Sequence, residues 1–154
     1  MRHALPPVAL ALLLCSAARA DDSKPAPPPP PSTESALVSH HHAAKFAPVT
    51  TPGIPPGAES ALIGVDPVTK GGTAWVQFAA GMTVPMHWHS FAEYSVVISG
   101  KARLTLDGTR HVMGPGSYAV IPANAHHELT CEKESPCLLL TRRAGPADYT
   151  FEKK

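Results

Sequence analysis

From Thr73 to the C-terminus, apolar and polar residues alternate in short runs broken by turn residues. The runs predict strands near Thr73–Ala80, Tyr94–Ser99, Ala102–Asp107, Arg110–Met113, Ser117–Ile121, His126–Thr130, Leu138–Arg142 and Tyr149–Phe151. Ser99-Gly100-Lys101, Asp107-Gly108 and Gly114-Pro115-Gly116 carry the turn chemistry between them. No stretch after residue 45 keeps a helical period, so the pattern predicts an all-β sandwich or barrel.

The N-terminal part is different. Arg2 and His3 precede a compact apolar run, Val8 to Leu14, and Ala18-Arg19-Ala20 offers small residues at a cleavage site. That order predicts a signal peptide over residues 1–20 and an exported chain, periplasmic or secreted, beginning at Asp21. Lipid attachment through Cys15 is the lesser alternative, because Leu14 stands where a small residue is expected. Lys24 to Ser32 is rich in proline, and residues 21–44 are expected to form a disordered Pro/His-rich linker. His40-His41-His42 in this linker reads as a solvated polar patch, or as a tract that gathers metal ions. The folded domain is expected over residues 45–154.

Charge narrows the partners. Thirteen basic and twelve acidic residues are interspersed, for a net charge of +1. No basic stripe supports nucleic-acid binding, and no transmembrane span is expected after the leader. Without Cys15, the cysteines are Cys131 and Cys137, on either side of a charged, proline-containing turn, and an oxidising compartment favours a disulfide between them.

The distinctive chemistry lies at His87-Trp88-His89. On an extended segment His87 and His89 share a face and Trp88 takes the other. Two imidazoles on one face can share a metal ion, and Glu93 can complete a 2-His-1-carboxylate set that leaves positions open.

Gly81, His87, His89, Glu93 and Gly100 stand at the spacing G(X)5HXH(X)3E(X)6G, and this resembles the first cupin motif at every fixed position. Ile121-Pro122-Ala123-Asn124-Ala125-His126-His127 resembles the second, with Asn124 in place of glycine and no asparagine after the histidine. The replacement is mild, because Asn also tolerates positive φ. The resemblance covers roughly residues 73–142 and implies a single cupin jelly-roll β-barrel. His127 stands where the family's fourth ligand falls. Strand alternation agrees, because His127 shares a face with Leu129 while His126 shares one with Glu128 and Thr130.

The expected site is therefore His87, His89, Glu93 and His127 around one divalent ion: iron, manganese, nickel, zinc or copper. Met86, Phe91, Ser95, Val97 and Tyr118 are candidates for the pocket wall. Tyr94, Val96 and Ile98 form an apolar stripe opposite Glu93, to be covered by the N-terminal segment or by a second copy in a homodimer. The resemblance implies a small-molecule ligand and a metal-dependent dioxygenase or isomerase in which Glu93 could move a proton, with a non-catalytic binding or sensor module as the alternative. Fold does not choose between them.

Overall fold

The computed structural model describes residues 36–152. The expectations for the leader, for Cys15 and for the proline run fall outside the described residues. A 3-10 turn at His41–Ala43 leads into strands β1 (Ala47–Pro48), β2 (Ala58–Val65), β3 (Gly72–Phe78), β4 (Thr83–Trp88), β5 (Glu93–Ser99) and β6 (Ala102–Leu106). There follow β7 (Thr109–Met113), β8 (Tyr118–Ile121), β9 (His127–Cys131), β10 (Cys137–Arg143) and β11 (Thr150–Phe151).

The strands make two antiparallel sheets, ordered β1-β2-β3-β10-β5-β8 and β11-β4-β9-β6-β7. Together they form the double-sheet jelly roll that the strand pattern and the motif resemblance predict. Val97, Ala102, Cys131 and Cys137 are almost fully buried between the sheets, with Leu104, Leu139, Val84 and Ile121 around them.

Three strands were not among those expected. β1 is short, and β2 is built from Ala-Glu-Ser-Ala-Leu-Ile-Gly-Val, a weak strand former on its own. Its order comes from pairing along nearly the whole of β3, a non-local partnership. β4 contains Pro85, which cannot donate to a ladder, and the β4–β9 register slips between Val84 and His87 at that point. The slip sets His87 directly opposite His127.

The outer face of the six-stranded sheet carries a row running Trp75, Leu140, Val96, Tyr118 across β3, β10, β5 and β8. The N-terminal segment covers one end of it. Trp75 Nε1 donates to Ser39 Oγ at 3.0 Å, and the His41 ring meets the indole edge-on at 5.8 Å. Tyr94, Val96 and Ile98 are half-buried, while Tyr118 and Val120 on the edge strand are exposed.

The motif turns take the backbone shape that their residues allow. Gly81 and Gly100 both have φ +78, and Asn124 has φ 62. At Gly100 space is short as well, since a Cβ there would lie 2.3 Å from the Pro136 carbonyl oxygen.

Candidate metal centre

Three imidazoles meet inside the barrel. His87 and His127 face each other across β4 and β9 with ring centroids 4.1 Å apart, and His89 lies 4.8 and 5.0 Å from them. All three are buried. Their ligand nitrogens lie within 4.8 Å of one another, close enough to share one ion. The second-motif loop is tied to the first, because Asn124 N donates to the His89 carbonyl at 2.8 Å.

The orientation of each ring is set by a backbone carbonyl. His87 Nδ1 lies 2.7 Å from Pro85 O, His127 Nδ1 lies 3.0 Å from Ala125 O, and His89 Nδ1 contacts Asp148 O. A carbonyl accepts but cannot donate, so each Nδ1 carries the proton and each Nε2 lone pair is free. This is the outer-shell arrangement that prepares imidazole for a metal. His89 Nε2 is buried, makes no hydrogen bond of sound geometry, and faces Glu93 Oε2 at 3.3 Å. Such an atom is costly to bury, and a cation at the centre of the three nitrogens would satisfy it. The donor set fits a divalent transition metal.

Burial and the neighbouring His127 push the His87 imidazole down to about 3, and burial also lowers His127. Both are neutral at physiological pH, the state in which imidazole binds metal. Burial would raise the Glu93 carboxyl, but the facing His89 imidazole and the Arg143 guanidinium bring it to about 2.

Glu93, on β5, borders the triad but has other partners. Its Oε2 stands 3.3 Å from His89 Nε2 and 2.7 Å from Arg143 Nη2. Its Oε1 accepts from Ser95 Oγ at 2.9 Å, and Ser95 shares a 3.1 Å hydrogen bond with Thr141. The register explains this polar wall, since Glu93 is opposite Arg143 and Ser95 opposite Thr141 on β5 and β10. Arg143 also donates to the Tyr149 hydroxyl at 3.1 Å and lies over the Tyr149 ring.

A cavity of about 70 Å³ opens beside the triad, lined at the polar end by Glu93, Ser95, Thr141, Arg143 and Tyr149 and elsewhere by apolar side chains. Of the five residues expected on its wall, Ser95 lines it. Met86, Phe91, Val97 and Tyr118 do not. Met86 precedes inward-facing His87 and so takes the opposite face. Phe91 is 40% exposed and packs its ring against Gly145, where a Cβ would lie 2.4 Å from it. Val97 is fully buried in the core away from the cavity. On β8 the inward positions are Ala119 and Ile121, which leaves Tyr118 outside.

The remaining expected residues are placed as follows. His126 faces solvent, stacks on Trp88 at 4.6 Å and pairs with Glu152 at 2.7 Å. His111 is exposed on β7, and His40, His41 and His42 are exposed at the 3-10 turn. Cys131 and Cys137 are joined by a disulfide, with Cα atoms 5.7 Å apart. Arg143, Thr141, Asp148 and Tyr149 were not anticipated. Arg143 ends a strand as one of two adjacent arginines, and only its cross-strand register turns it inward.

Residues 74–141 match the model of the Cupin domain family. A 65-residue stretch is 37% identical to the mannose-1-phosphate guanylyltransferase of Escherichia coli (strain K12), covering 42% of this chain and only 13% of that protein. The polyketide cyclase RemF from Streptomyces resistomycificus superposes with a TM-score of 0.65 at 17% identity, over 78% of this chain and 87% of that one. An RmlC-like cupin from Shewanella frigidimarina NCIMB 400 gives 0.58 at 19%, over 73% and 93%, and KdgF from Halomonas sp. gives 0.57 at 17%, over 73% and 94%. At these identities the solved structures establish a common fold. The family match over residues 74–141, the motif glycines and the two-sheet barrel around a buried histidine cluster identify a cupin domain in this chain.

Proposed function

We propose that the protein is an exported, mononuclear metal-binding cupin that receives a small organic ligand beside its ion. The observation that carries this reading is the convergence of three Nε2 atoms whose rings are oriented by carbonyls, with His89 Nε2 buried and facing Glu93 Oε2 with no hydrogen bond of sound geometry. A divalent ion there would act as a Lewis acid toward a ligand oxygen. The chain supplies the rest. The apolar lining favours a compact, largely hydrophobic ligand body, and Ser95, Thr141 and Tyr149 offer hydroxyls to orient its polar end. Oxygenation or isomerisation of such a ligand is the enzymatic form of the proposal. Resemblance in fold to a polyketide cyclase is compatible with it but does not select it. The Cys131–Cys137 pairing supports an oxidising compartment, hence export.

A non-catalytic binding module is the second reading. It is favoured by the small cavity and by the engagement of Glu93 in an ion pair, which leaves no free carboxylate base on the cavity wall among the described residues.

Elemental analysis of the purified chain tests the site. About one equivalent of metal is expected in the native protein and a large loss in His87→Ala and His127→Ala; a full equivalent retained by both variants would overturn the proposal. Oxygen uptake over small phenols, thiols and diketones then separates the enzyme from the binding module.

A further inference from the structure

Resting on the metal site proposed above, we infer that its ligand is a carboxylate of about two or three carbons, bound as the anion at the Arg143–Tyr149 end of the cavity with its alkyl part on the apolar wall. Size sets the first limit. The cavity measures about 70 Å³, less than half of the roughly 150 Å³ that holds a benzene ring. Its apolar wall includes Val76, Leu104, Met113, Ala119 and Leu139, so the buried body of the ligand is a short alkyl group. The histidine cluster opens on the same space, since His87, His127 and Glu93 also line it.

The hydrogen bonds at the polar end leave donors over. Ser95 Oγ gives its proton to Glu93 Oε1, so the Thr141 hydroxyl gives its own to Ser95. Arg143 Nη2 donates to the Tyr149 oxygen at 3.1 Å, which leaves the Tyr149 proton to be donated elsewhere. Of the five N–H groups of Arg143, three meet Glu93, Tyr149 and the Asp148 carbonyl, and two have no acceptor among the described residues. A carboxylate, which only accepts, suits such a set. Charge points the same way. Arg143 and Glu93 are the charged side chains on the cavity wall and cancel each other, while His87 and His127 are neutral. A divalent ion would bring uncompensated positive charge into this buried, mostly apolar space, whether or not Glu93 ligates it. An anion beside the ion offsets that charge, and a neutral ligand does not.

The full chain loaded with Co²⁺ is titrated with acetate, propionate, hexanoate, benzoate and propionamide, and the visible spectrum reads each ligand as it enters. Acetate and propionate are expected to change the spectrum saturably. Propionamide, of the same size without the charge, is expected to bind more weakly than propionate by about tenfold. Hexanoate and benzoate are also expected to bind more weakly by about tenfold, because the wall must give to admit them. Met113→Ala, which enlarges the apolar part, should raise benzoate affinity by about tenfold. Met113→Val is read in the same way should the alanine variant not fold. Propionamide as tight as propionate overturns the anion, and benzoate as tight as propionate in the native chain overturns the size limit. Absence of a saturable change with every probe overturns both, and no gain of benzoate affinity in either Met113 variant removes the ligand from this cavity. No Co²⁺ bound by the native chain, or full binding by His87→Ala, would instead overturn the metal site itself.

Discussion

His89 Nδ1 donates to the backbone carbonyl of Asp148, 59 residues further along the chain. Through this bond the segment after β10 orients a ring from the first motif. β11 then pairs with the end of β4, Thr150 opposite Trp88 and Phe151 opposite His87, and Tyr149 stacks 5.5 Å from the His87 ring. The histidine cluster is therefore closed by residues beyond the family match, which ends at 141.

A chain ending at Ala147 should keep the two-sheet fold but release His89 from its orienting carbonyl. Its affinity for zinc or cobalt should fall about 10- to 100-fold, with the far-ultraviolet circular dichroism largely retained. Chelator competition measures this, and unchanged affinity would show that the C-terminal segment does not shape the site.

Acid should destabilise the metal-free protein. His87 is lowered from 6.5 to about 3 in the folded chain and His127 is also lowered, so the unfolded chain binds more protons as the pH falls. Their contribution is fully present above about pH 6.5 and is lost as the pH falls toward the folded-state values. Glu93, held at about 2 against 4.5, adds a loss in the same direction at lower pH. The Tm of metal-free protein should drop steadily between pH 7 and pH 4, and less steeply in His87→Gln. A flat profile would contradict neutral, buried imidazoles.

Removing the disulfide should weaken the fold without touching the metal. Cys131 and Cys137 close a short loop, so Cys131→Ala/Cys137→Ala should lose about 2 kcal/mol of stability by urea unfolding. Both side chains lie in the core, away from the triad. Metal affinity should stay within about threefold, which isothermal titration reads directly.

Gly71 offers a test of how backbone packing places Arg143. A Cβ at Gly71 would lie 2.1 Å from the Arg143 carbonyl oxygen, so the two backbones must separate in Gly71→Ala. Overpacking of this kind costs about 1–3 kcal/mol. The shift should also disturb the Arg143–Glu93 pair, displacing the spectrum of Co²⁺ bound at the histidine cluster. A native spectrum and native Tm would show that the contact is slack.

The parts of this molecule legible in the sequence were local ones. Alternation and turn residues marked most strands of the barrel to within a residue or two, and the spacing from Gly81 to Gly100 marked the two histidines of the first motif. β2 was not legible, because its small and polar residues acquire a strand only against β3. β4 was obscured by Pro85, whose irregularity is what aligns His87 with His127. Pocket assignments on β8 missed by one position, which in a strand exchanges inside for outside. Arg143 was hidden because nothing in Thr141-Arg142-Arg143 tells which arginine is buried; its pairing with Glu93 follows from a register between strands some fifty positions apart. Asp148 contributes through its main chain, which no side-chain motif records.

The most direct measurement is an anomalous-difference map at the absorption edge of the bound metal, from crystals of the natively loaded protein. One peak is expected inside the barrel, about 2.0–2.2 Å from Nε2 of each of His87, His89 and His127. A peak on Nδ1 atoms, at the exposed His40–His42 turn, or nowhere in the chain would contradict a buried three-histidine centre.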